Sequence, residues 1–142
     1  MRSPARSWPG QALVEIALAM PVLLLVVIGA VECFRAFNVK HVVTDAAREG
    51  ARHAVVQDPK ITQDSVRATI LLALSRASIP PAAATIQFDT SPPPAGHWRE
   101  TGALQTVFVS VPYRFGFLSA IIRVATGSDT IRLAALTSMR NE

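Results

Sequence analysis

One cysteine is all the chain contains. A lone thiol excludes an internal disulfide framework and any zinc site built from several cysteines. Charge is also scarce, at 17% against 50% hydrophobic residues, a balance that excludes a disordered chain. The net charge of +4 is small and its basic residues are scattered, which leaves no stripe of the kind that binds nucleic acid. No glycine-rich phosphate loop, paired-cysteine motif or serine elbow occurs. The three histidines do not assemble a metal site by spacing. His41 and His53 miss a common helical face, and His97 sits beside Trp98 in a proline-rich stretch, where the aromatic pair suits a contact patch. The expectation is a protein that is not an enzyme, with no cofactor, metal or small-molecule substrate. A length of 142 residues suits one domain.

What is abundant is concentrated. Residues 16–31 carry no charge, and Ala12-Leu13-Val14 extends the apolar run to cover residues 12–31. About 20 apolar residues span a bilayer core, at roughly 1.5 Å of helical rise each. Pro21 falls inside this run, and membrane helices tolerate such an interruption. Arg2 and Arg6 precede it with no acidic residue until Glu15, which favours a cytoplasmic N-terminus. A cleaved secretory signal fits poorly, because the run is long and Ala30-Val31-Glu32 makes a poor cleavage site. Lipidation at Cys33 is disfavoured by the glutamate immediately before it. An intermolecular disulfide remains open to that thiol in an oxidising compartment.

The order of features at the start is a basic leader, Gly10, Gln11-Ala12-Leu13-Val14-Glu15, and then unbroken hydrophobicity. It resembles the type IV prepilin signal. That resemblance implies a cut after Gly10 on the cytoplasmic side, which makes Gln11 the new N-terminus and Glu15 the fifth residue. An ionised carboxylate inside a bilayer costs several kcal/mol unless paired, on the order of +3 by insertion scales. The α-amino group of Gln11 on a neighbouring subunit is a natural partner for Glu15, and the pair would register subunits during assembly. The alternative is that Glu15 sits at headgroup level.

The helical pattern does not stop at Val31 but runs to about Val56, with Pro59 as breaker. Ala46, Gly50 and Ala54 form a strip of small residues four apart, next to Ala47, Ala51 and Val55. Such strips let helix backbones approach closely. They suit packing on the chain's own domain, on another subunit, or both. Asp45 can reach Arg48, and Glu49 can reach Arg52 or His53.

These residues together resemble the TadE-like family, pseudopilins of the tight-adherence (Flp) pilus system. The resemblance is carried by Gly10-Gln11-Ala12-Leu13-Val14-Glu15, by Pro21, Glu32 and Arg35, and by Asp45-Ala46-Ala47-Arg48-Glu49-Gly50-Ala51-Arg52. More loosely, Ile131-Arg132-Leu133-Ala134-Ala135-Leu136-Thr137-Ser138-Met139-Arg140 is similar to the family's last strand. The resemblance implies a bacterial inner-membrane protein with its N-terminus in the cytoplasm, processed by a prepilin peptidase and helping to assemble Flp-type pili. Its implied partners are other pilins or pseudopilins and pilus-assembly membrane proteins. One departure is Ile16, where processed members often carry an aromatic residue. The alternative is an uncleaved, signal-anchored envelope protein whose head binds a secretion-system or cell-wall component.

The rest of the sequence reads as a small head. Thr62 caps a helix to about Ala77 with Val66, Ile70, Ala73, Leu74 and Ala77 on one face, and Pro80-Pro81 ends it. Residues 85–89 alternate, with Ile86 and Phe88 on one side. Residues 91–102 read as an exposed loop. Val107, Val109, Val111, Tyr113 and Phe115 alternate as a half-buried strand, in which Pro112 predicts an edge position or a bulge. Residues 118–125 suit a short helix, and residues 129–140 alternate again. The expected fold is α+β: a transmembrane helix continuing into a long helix, then a head with a three-stranded antiparallel sheet and one or two helices. The expected divisions are a leader at 1–10, a membrane helix at 11–31, a helical extension at 32–57 and an extracytoplasmic head at 58–142. So small a head should need burial from the long helix.

Overall fold

The computed structural model describes residues 9–56, 61–91 and 104–140. The architecture is α+β, as the patterning predicts. Helix α1 (Pro9–Ala54) is followed by helix α2 (Gln63–Arg76), strand β1 (Thr85–Ser91), strand β2 (Leu104–Arg114), helix α3 (Ser119–Thr126) and strand β3 (Thr130–Arg140). The expected loop falls outside the described residues over most of its length, and His97 and Trp98 fall there with it.

Helix α1 is one continuous element of 46 residues with Pro21 inside it. Proline has no N–H to donate, so the carbonyl of Ala17 loses its helical partner there. The next helix has a full start signal. Thr62 accepts from the Ser65 backbone N–H at 3.2 Å, and the Ser65 hydroxyl accepts from the Thr62 N–H at 2.9 Å. This reciprocal box satisfies two helix-end donors. Of the expected face, Val66, Ile70 and Leu74 are buried, Ala73 is half-buried and Ala77 is exposed beyond the helix end.

The sheet order is β1-β2-β3, antiparallel throughout. Its inner face is read directly from the register. Ile86, Val109 and Ala135 lie in one row, all buried, with Phe88, Val107 and Thr137 in the parallel row. Pro112 does not put its strand at an edge, nor does it make a bulge: β2 is central and its register is unbroken. The proline is accommodated because β1 pairing begins at Thr85↔Ser110. Pro112 lies past that end and pairs only with Arg132 of β3. At this point the central strand has a locally open side, where a missing donor breaks no ladder bond.

The core lies between the sheet, α2 and the C-terminal half of α1. Val43, Ala46, Ala47, Ala51 and Ala54 of α1 are buried with Val66, Ile70 and Leu74 of α2 and Val107, Val109 and Val111 of β2. Gly50 is the point of closest approach. A Cβ there would stand 2.5 Å from Ile70 Cδ1 and 2.6 Å from its Cγ1. Ile70 is itself fully buried, so its side chain cannot swing out without leaving the core.

Gly50→Val should therefore destabilise the folded head by about 2 kcal/mol, within the range typical of overpacked cores. Gly29→Ala meets open space within the same helix, so it should hold or gain stability through better helix propensity. Thermal unfolding of the detergent-solubilised chain separates the two. Equal behaviour would remove the packing role of Gly50.

Candidate functional site

Two regions of α1 stand out by their exposure and their contacts. The first is its N-terminal half. Gly10, Gln11 and Glu15 are all exposed on the first turns of α1, and nothing approaches the Cβ position of Gly10. From Leu13 to Val27 every large apolar side chain is exposed, and so is Val31. The described residues contain one helix long and apolar enough to cross a membrane, and its most apolar window is wholly unburied. Among the described residues none forms a hydrogen bond or ion pair with the Glu15 carboxylate.

The second region is the collar where the stem meets the head. Glu32 directly follows the uncharged run, yet it is only 1% exposed. Its carboxylate reaches the turn between β2 and α3. The Gly116 N–H donates to Glu32 Oε2 at 3.1 Å, and the Phe117 N–H donates to Oε1 at 3.3 Å. Arg35, one turn along α1, stands 3.9 Å from Oε1. A buried carboxylate is tolerable only when donors replace its lost water, and two backbone donors with a nearby guanidinium do so. Gly116 is required for clearance, since a Cβ there would lie 2.9 Å from Glu32 Oε1.

Above the clamp, Lys40 donates from Nζ to the Ala134 carbonyl of β3. Between these two ties lies an apolar cleft of about 350 Å³ lined by Cys33, Ala36, Phe37, Lys40, Phe115 and Leu133. Tyr113 packs edge-on to Phe115, with ring centroids 5.1 Å apart. Burial pushes the Tyr113 hydroxyl above its ordinary value. The negative charge of Glu32 adds to that, while Arg35 opposes it.

The small-residue strip is used inside the chain. Ala46, Gly50 and Ala54 are buried against α2 and the sheet. The charged residues alongside point outward and pair at one-turn spacing, Asp45 with Arg48 at 3.7 Å and Glu49 with Arg52 at 3.1 Å. The hydrogen bond from Arg52 holds the Glu49 carboxyl below its usual range. His53 instead meets Thr69 of α2, with 3.1 Å between Nδ1 and Oγ1. Cys33 is an exposed free thiol at the cleft. Among the described residues no group of three or more metal-ligating side chains forms.

The Glu32 clamp is not apparent from sequence spacing, because its donors lie more than eighty positions away. The available signal was chemical: a carboxylate placed straight after a long apolar run must find donors somewhere.

Residues 10–52 match the family model described as TadE-like protein, and the match covers under a third of the chain. The match starts at Gly10 and includes Glu15, Glu32 and the Asp45–Arg52 stretch, but it does not reach β3. No curated protein matches the chain, and no solved structure does.

The chain has one tyrosine, so its ultraviolet titration reports Tyr113 alone. The native state holds the phenolic proton more tightly than the unfolded chain does. The stability from this group is therefore full below about pH 10 and is lost as pH rises through the folded value. Native absorbance should titrate above the value seen in denaturant. Glu32→Gln should move it part of the way back down, and an unmoved titration in that variant would disprove the electrostatic contact.

Proposed function

We propose that the chain is a TadE-like pseudopilin, a membrane-anchored structural component that helps assemble a Flp-type pilus or a related secretion system. Its role is structural rather than catalytic. The observation that carries this is the match over residues 10–52, which coincides with a helix whose first half is apolar and exposed on all sides. Such a surface needs a bilayer or a bundle of like helices to cover it.

In this mechanism the basic leader holds the N-terminus in the cytoplasm of a bacterial inner membrane. A prepilin peptidase cuts after Gly10. The new amino group of Gln11 then pairs with Glu15 of a neighbouring subunit, and the head, outside the membrane, selects partners among pilins, pseudopilins and assembly proteins. Glu15 is exposed and its carboxylate has no partner among the described residues, which supports this reading. The seam at Ala46, Gly50 and Ala54 is filled within the chain, which leaves the stem and the outer surface of the head for contacts between subunits.

The alternative is an uncut anchor whose head binds another envelope component. One observation favours it: the bond after Gly10 lies within the first turn of α1, so a peptidase must unwind that turn to reach it. Gly10→Val decides between the two. Intact mass and N-terminal sequencing of the membrane-extracted protein should show a chain starting at Gln11 in the wild type and a full leader in the variant. Normal maturation of Gly10→Val would exclude cleavage at this site. Glu15→Ala should still be cut but should lose most piliation, and unchanged piliation would remove the pairing role.

A further inference from the structure

Helix α3 interrupts the meander between β2 and β3, and one apolar face of it is left exposed. Phe117, just before it, is 74% exposed, and on it Ile121 is 53% and Val124 89% exposed. These positions recur at four and three residues, so they share one face. Ser119, Arg123 and Thr126 recur in the same way on another face. The sequence thus builds a short amphipathic helix whose Ile121–Val124 face is left open among the described residues, while Leu118 and Ile122 beside it are half-buried.

Its location indicates what covers it. The Glu32 carboxylate holds the Gly116 and Phe117 N–H groups, and Glu32 directly follows Val31, the last residue of the uncharged run. The start of α3 is thereby fixed at the height where the stem leaves the bilayer. The Arg114–Asp129 pair, 2.9 Å apart, ties the two ends of the excursion together, and Gly127 closes α3 in the left-handed conformation at φ 75. Phe34, 66% exposed and about 4.5 Å of helical rise past Val31, continues the same apolar belt on α1. Arg35 and Arg123 are both exposed, and a basic residue opposite an apolar face suits an interfacial helix.

We propose that α3, with Phe117, lies on the membrane surface as a foot, with Ile121 and Val124 inserted among lipids at the exit of the stem. The occupant of this face is the adjoining lipid leaflet. The foot fixes the tilt and rotation of the head relative to the bilayer, which a single spanning helix does not do by itself. The proposal rests on the reading of α1 as a membrane span.

The test uses the full chain with Cys33→Ser, reconstituted in phosphatidylcholine–phosphatidylglycerol vesicles. An environment-sensitive fluorophore is placed at Val124→Cys, Leu72→Cys or Val22→Cys in turn. Leu72 is an exposed apolar residue on α2, and α2 meets α1 at Gly50, about 28 Å of helical rise beyond Val31. Nitroxide-labelled lipid should quench the Val124 and Val22 probes several-fold more than the Leu72 probe, and iodide should quench only Leu72 well. Iodide quenching at Val124 equal to that at Leu72 would place the helix in water and overturn the proposal. Shielding of Val124 from both quenchers would mean a protein cover, such as a second copy, and would also overturn it. If lipid fails to quench Val22, the membrane span fails and the foot fails with it. If Val22 is quenched and Val124 is not, the foot alone fails.

Discussion

The constraint on which the whole structure depends is that one unbroken helix serves two solvents. The most apolar stretch in the first half of α1 is buried by none of the described residues, whereas the second half buries only a narrow strip. An all-round apolar surface belongs in lipid or in a bundle, and a one-sided surface belongs on a water-soluble domain. Because α1 contributes Val43, Ala46, Ala47, Ala51 and Ala54 to the core, the head does not hang from the stem by a linker. Backbone hydrogen bonds carry straight through the junction, so a rotation of the stem turns the head with it.

Small side chains make that double service possible. Two layers, α2 and the sheet, must both come close to α1 over a few turns, and bulky residues would hold them apart. Alanines and Gly50 let the Ile70 side chain rest against the α1 backbone. Glycine inside a helix costs about 1 kcal/mol relative to alanine, and here the close packing of a fully buried isoleucine offsets it. The flanking ion pairs are exposed and contribute little to stability. Their value is solubility: they keep the outer face of the helix in water, so that the strip has a single packing direction.

Much of this was legible in the sequence because the signals were local. The Thr62–Ser65 box, the apolar period of α2, the alternation in β2 and β3 and the uncharged run before Glu32 each lie within a few residues, and the elements formed where they pointed. Pro112 misled because a strand's edge is a property of its neighbours. β2 is central, but β1 stops short of the proline. The small-residue strip announced close packing without naming its partner, since Ile70 and Val107 come from elements that the periodicity of α1 does not encode. The collar was least legible. The donors to Glu32 are backbone groups, which carry no residue signature, and Gly116 reveals its purpose only once the carboxylate is seen 2.9 Å from where a Cβ would stand.

The two glutamates at either end of the stem show how one residue type supports opposite roles. Both face the cost of a carboxylate at an apolar boundary. Glu32 meets that cost within the chain, through two backbone donors and Arg35, so it is satisfied before any partner arrives and it holds the head in place. Glu15 has no such donors among the described residues. On the proposed assembly route its satisfaction depends on a neighbour, so the same desolvation cost that makes Glu32 a structural tie makes Glu15 responsive to whether a second subunit is present. On that route the Glu32 tie holds the head in the lone and the assembled subunit alike. It leaves the energetic difference between those states to the stem, where a bilayer and a helix bundle compete to cover the same apolar surface.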